Sequence, residues 1–287
     1  KSPVLFYPYT LGQLGVALFF VLSGYCIHLS FLSFARKRPA GYSLREFCRY
    51  FFVRRFFRIY PAYLAAVLFF LFVFHPKVHE GAAWWKQLVT HLSLTHNFWP
   101  DTYSEIAGAF WSLAYEWQLY CLYPFFLALR RRIGVDRAFI AVAVGAVLYS
   151  VLVDGWAADQ FALKDAVFRS RYALPWFLGV YLCEKHSRGE RLFPRHGLGL
   201  VLAYVGALAA AEFAPCRPLL WEIFCWVFAW TVEWYGHRQQ YSLPERGLAG
   251  LGVISYSFYL FHDPLVGFLG GLAKPLLAPG YPYNQLT

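Results

Sequence analysis

The sequence contains no methionine, and only 15% of its 287 residues carry charge, against about 25% in soluble domains. Acidic residues number 16, too few to balance the 26 Lys and Arg. So little charge excludes a disordered chain and an ordinary soluble enzyme, because a soluble fold must coat its outside with polar groups. The lack of Met implies that Lys1 is not the natural start. Cysteine is sparse too. Cys26, Cys48, Cys121, Cys183, Cys216 and Cys225 show no metal-ligand spacing, and only Cys216 falls in an expected outer segment, which leaves no extracellular disulfide pair. There is no Gly-rich phosphate loop, no nucleophile elbow, no nucleic-acid motif, no secretory signal and no lipidation box. Neither a metal nor a nucleic acid is therefore expected as a partner.

What is present is apolar. Hydrophobic residues make up 59% of the chain and aromatics 21%. The expected fold is all-α, a polytopic transmembrane helix bundle in a single domain over 1–287. A span needs about 20 mostly apolar residues. Eight segments qualify, near 11–34, 50–74, 108–129, 138–153, 172–184, 198–214, 218–235 and 250–272. Those at 138–153 and 172–184 are short and read as tilted or re-entrant. No period-two alternation recurs, which argues against a β-barrel.

Positive charge is unevenly shared between alternate connections. Residues 35–58, 130–137, 184–196 and 237–247 together hold 18 Lys and Arg, and the other set holds eight. The positive-inside rule puts the first set in the cytoplasm. Lys1 and the C-terminal tail then lie outside, which calls for one more helix before Lys1.

Ionisable residues at membrane depth are costly and mark candidate sites. Arg55 and Arg58 share a helical face at the cytoplasmic mouth of the second span. Two guanidinium forks suit a phosphate-rich ligand, although anchoring to lipid headgroups is the plainer reading. Ser112, Glu116 and Tyr120 follow i, i+4, i+8 and form one polar stripe. Glu116 must be paired or protonated there; it could take a proton, fix a histidine, neutralise an Arg, or simply tie two helices together. Ser255, Tyr259 and His262 line another face. His262 could act as base or hydrogen-bond partner, and packing is the alternative. Asp263 before Pro264 suits a cap or kink. Ser23 and Gly24 permit close helix approach, with His28 one turn further. Elsewhere, His75 and His79 are separated by Pro76, and His91 and His96 are too far apart for one helical face.

Four stretches carry a family resemblance: Gly15–Ile27 (GVALFFVLSGYCI), Arg54–Tyr63 (RRFFRIYPAY), Trp111–Pro124 (WSLAYEWQLYCLYP) and Ser255–Pro264 (SYSFYLFHDP), with a weaker one at Trp176–Val180 (WFLGV). In this order they resemble the integral membrane acyltransferases of the acyltransferase-three family. The resemblance implies transfer of an acyl group, usually acetyl, from acetyl-CoA to a hydroxyl of an extracytoplasmic glycan or related molecule. It implies ten spanning helices and a catalytic histidine on the first of them. Only Lys1–Thr10 precede the first matching stretch, so the expectation is eight spans of ten, with a helix lacking at each end; a degenerate, inactive homologue is the alternative. On this reading Glu116 and His262 are catalytic candidates, with Glu116 orienting the base and His262 holding the acceptor or thioester. Arg55 and Arg58 meet the phosphates of acyl-CoA, and Trp111, Tyr115 and Tyr259 contact substrate. The expected location is a cell membrane, the bacterial inner membrane. Rival classes are a proton-coupled transporter and a non-catalytic scaffold.

Overall fold

The computed structural model describes residues 8–74, 84–156, 160–164, 166–212, 220–236, 242, 247, 250, 252 and 255–262. These are almost entirely helical, with no strand among them. The order is α1 (Pro8–Arg36), α2 (Leu44–Phe69, continued by wider π-helical turns over Phe70–Phe74), α3 (Trp84–Leu92), α4 (Trp111–Ile133), α5 (Val135–Trp156), α6 (Phe161–Lys164), α7 (Ser170–Ser187), α8 (Gly197–Glu212) and α9 (Leu220–Gly236). Residues 255–262 are helical as well. The all-α reading therefore holds. His75, His79, Cys216, Asp263, Pro264 and the end of the eighth expected span lie outside the described residues.

Three helices among the described residues are long and apolar enough to cross a membrane: Leu14–Arg36, Leu44–Val73 and Val135–Trp156, with Gly197–Ala211 apolar but shorter. The helices expected near 108–129 and 172–184 form as α4 and α7, yet their polar and charged residues lower their hydropathy. Their polar groups face protein instead of lipid: Glu116 and Glu184 are both buried. The segment expected to be short at 138–153 is a full helix of 22 residues.

The chain divides into two compact units, residues 1–51 with 115–239, and 52–114 with 240–287. In the first unit α1 packs along α7. Gly24 and Gly179 explain how closely. A Cβ added at Gly24 would lie 1.9 Å from the Trp176 carbonyl oxygen, and one at Gly179 would lie 2.0 Å from that of Val21. The two backbones touch where both helices lack a side chain, the small-residue crossing used between helices in lipid. An aromatic core of Phe31, Phe47, Phe51, Tyr120, Tyr123 and Trp176 fills the space beside it.

In the second unit three tyrosine hydroxyls fasten the α2 backbone region to its neighbours. Tyr60 donates to the Leu92 carbonyl at 2.9 Å, Tyr63 to that of His91 at 3.1 Å, and Tyr256 to that of Ile59 at 2.8 Å. Helix α3, inside the stretch read as a polar outer loop, ends in an unusual way. Leu94 takes the left-handed conformation (φ 55°), Thr95 N–H bonds the Thr90 carbonyl at 2.9 Å, and Leu94 N–H bonds that of His91 at 3.0 Å. This is the double bond of a Schellman cap, with Leu where glycine is usual. The strained position is held by burial, since Leu94 is 2% exposed.

Candidate functional site

Glu116 comes first, because a buried carboxylate in an apolar helix needs donors. It receives a hydrogen bond from Ser23 Oγ at 2.8 Å and another from the Tyr120 hydroxyl, one turn along α4. Ser23 in turn receives Trp176 Nε1–H at 3.2 Å. Four residues from α1, α4 and α7 thus form one hub. The Gly24–Gly179 crossing brings Trp176 of α7 against Ser23 of α1, and Glu116 meets Ser23 from α4. Tyr115, the neighbouring candidate, is fully buried and stacks on Tyr172, with ring centroids 3.9 Å apart.

In the second unit Ser112, at the N-terminal end of the α4 stripe, meets the helical residues 255–262. Tyr259 donates its hydroxyl to the Ala109 carbonyl at 2.8 Å and lies 2.6 Å from Ser112 Oγ. Ser112 and Tyr259, read from separate motifs, are therefore in contact. His262 Nδ1 is 2.7 Å from the Tyr259 carbonyl oxygen. A carbonyl only accepts, so Nδ1 carries a proton in this bond. Trp111 is buried and stacks on Tyr103. Arg55 is half-buried and Arg58 exposed, one turn apart on α2.

Residues 2–285 match the acyltransferase domain of the acyltransferase-three family. The chain belongs to this family. Acyltransferase MdmB of Streptomyces mycarofaciens is a similar protein, 32% identical over 288 residues, which cover 90% of this chain and 69% of the relative. No solved structure matches. The chain is thus a membrane acyltransferase, and its buried polar groups are to be weighed against acyl transfer.

Two polar clusters went unrecognised in the sequence. His28 is completely buried. Its Nε2 donates to Glu184 Oε2 at 2.6 Å, and its Nδ1 lies 2.8 Å from the Tyr123 hydroxyl. Glu184 also accepts Arg130 at 2.6 and 3.1 Å and Arg188 at 2.7 and 3.2 Å. The only hints were a histidine inside an apolar span and a glutamate beside Cys183 at the end of another. In the second cluster His91 and His96, too far apart for one helical face, meet by another route: the Leu94 turn folds the chain back and stacks their rings at 4.1 Å, nearly parallel. Both are fully buried. His91 Nδ1 donates to the Gln87 carbonyl at 2.8 Å, while His91 Nε2 has no hydrogen-bond partner among the described residues and His96 meets the Phe110 backbone short of a well-formed hydrogen bond. Burial lowers the pKa of His91 to about 4 against a weaker opposing pull from the Gln87 carbonyl. Burial and then His91 push that of His96 well down. Both rings are neutral at pH 7.

Proposed function

We propose that this membrane acyltransferase moves an acyl group, acetyl in the simplest case, from acyl-CoA to a hydroxyl of an extracytoplasmic glycan or related molecule, in a bacterial inner membrane. The observation that carries the proposal is the Glu116 hub, a buried carboxylate held by Ser23 and Tyr120. Direct transfer needs a base for the acceptor hydroxyl, a positioned thioester carbonyl and a donor for the developing oxyanion. The acceptor O–H loses its proton to the base, its oxygen bonds the acyl carbon, and the thiolate of CoA leaves and takes up a proton. Glu116 would orient a histidine base and stabilise the imidazolium that forms, as the carboxylate does in a hydrolase triad. His262, its Nδ1 tied to the Tyr259 carbonyl, would hold the acceptor or the thioester. Ser112 and Tyr259 would supply hydroxyls to that site and Trp111 an apolar wall.

Arg55 and Arg58 would take the phosphates of the donor on the cytoplasmic side, the side that the charge of 35–58 favours. The three tyrosine bonds around Ile59–Tyr63 hold this stretch of α2 in place. Acyl-transfer kinetics in membranes, with donor concentration varied, test the assignment. Losing one charge-assisted hydrogen bond costs about 1.5–3 kcal/mol, so Arg55→Ala or Arg58→Ala should raise the donor KM by roughly 10- to 150-fold with kcat less affected. Lys should rescue only in part, because it lacks the planar fork. Unchanged donor dependence in both variants would reduce the pair to a lipid anchor.

A further inference from the structure

We propose that the groove between α4, α5 and α7 is a binding site for one tail of an anionic bilayer phospholipid, whose phosphate sits at Arg132. The groove has a volume of about 360 Å³, within the range of ligand sites. It is walled by Leu122, Phe125 and Leu129 of α4 and by Val142 and Gly145 of α5, and Phe177 of α7 forms part of its floor.

Three observations choose the occupant. The wall is almost wholly apolar, so a hydrocarbon chain fits it and a polar ligand does not. The groove is continuous with the outward face of α5, where Val144, Val147, Leu148 and Val151 are all exposed. In a membrane-spanning helix that face meets lipid tails. Finally, the groove ends in positive charge that no ion pair among the described residues engages. Leu122, Phe125 and Leu129 follow one face of α4, and the next position on that face is Arg132, which is exposed. Arg137 is exposed as well, two turns before Gly145 on α5. The nearby carboxylate of Asp136 is already engaged by Lys185 at 2.8 Å and Tyr181 at 2.7 Å. An anionic headgroup completes this end, and a zwitterionic one does so less well.

Gly145 makes the proposal testable without breaking the fold. A Cβ added there meets nothing within 4 Å, so Gly145→Leu fills the groove with its own side chain and improves helix propensity. Lipids retained by the full chain in mild detergent are counted by native mass spectrometry, after exposure to phosphatidylglycerol or phosphatidylcholine. Wild type should retain one more phosphatidylglycerol than Gly145→Leu, whose thermal midpoint without lipid should be unchanged or higher. Arg132→Gln should weaken retention of phosphatidylglycerol roughly tenfold, the loss expected for one charge-assisted hydrogen bond, and leave phosphatidylcholine unaffected. Equal lipid counts in wild type and Gly145→Leu would overturn the proposal. So would an oligomer that Gly145→Leu dissociates, because a second copy of the chain would then be the occupant.

Discussion

Two places in the molecule bury histidine, and they are built in opposite ways. Around His28, in the first unit, both ring nitrogens are engaged and Glu184 collects two arginines besides. Around His91 and His96, in the second, the bond from His91 to the Gln87 carbonyl is the one well-formed hydrogen bond to a ring nitrogen among the described residues. The first arrangement resembles the Glu116 hub: long-range partners, each donor matched to an acceptor, on helices locked by backbone contact. It strengthens the unit and depends on every member. The second costs stability at neutral pH and depends on little but apolar burial. A polar residue at depth is therefore not one kind of feature; its partners decide whether it is structure or strain.

The largest effect should come from the crossing that holds the matched network. Gly24→Ala or Gly179→Ala drives a Cβ to about 2 Å from a backbone oxygen, so α1 and α7 must part. A loss of about 3 kcal/mol is expected, read as a lower unfolding midpoint in detergent. Unchanged midpoints would mean that the crossing does not hold the hub. A smaller loss, about 2 kcal/mol, should follow Glu184→Gln, which strips the charge from buried His28 and from two arginines that are partly exposed. The same variant should leave the donor KM alone, since Arg55 and Arg58 are separate from this network.

The smallest effect has the opposite sign. His96→Phe keeps the ring stack and removes two buried nitrogens without a well-formed hydrogen bond, so stability at pH 7 should stay level or rise slightly. The pH profile sharpens the point. The folded pKa values of His91 and His96 lie below the unfolded value of about 6.5. Between that value and about 4 the unfolded chain binds more protons than the folded one, so stability falls as pH drops through this window. His96→Phe should flatten that slope in thermal melts taken from pH 7 to pH 4. A wild type with no slope there would show that the stacked pair is not held neutral.

How much of this was legible in the sequence follows from what periodicity can carry. Hydropathy located the helices, and the i, i+4, i+8 spacing of Ser112, Glu116 and Tyr120 put them on one face, as observed. Ser23 and Gly24 were readable as a close-approach pair. Their partners Trp176 and Gly179 were not, because a helical pattern names a face and not what it touches. The same limit hid His28 from Glu184, 156 residues away in sequence. The His91–His96 contact was hidden for another reason: with no glycine or proline between them, nothing signalled that the helix would stop and turn at Leu94. Only part of the expected spans are strongly apolar, since α4 and α7 carry their polar groups inward to protein partners.

The central claim is that the Glu116 hub positions the base for acyl transfer. Glu116→Gln keeps size and hydrogen bonding and removes the charge. Steady-state kinetics of this variant in membranes, over a range of pH and donor concentration, test the claim most directly. The account predicts that kcat falls on the order of 100-fold or more, with a shifted pH profile, an unchanged donor KM and an unchanged unfolding midpoint. Near-native turnover with the same pH profile would contradict it and leave Glu116 as a hydrogen-bonded tie between helices.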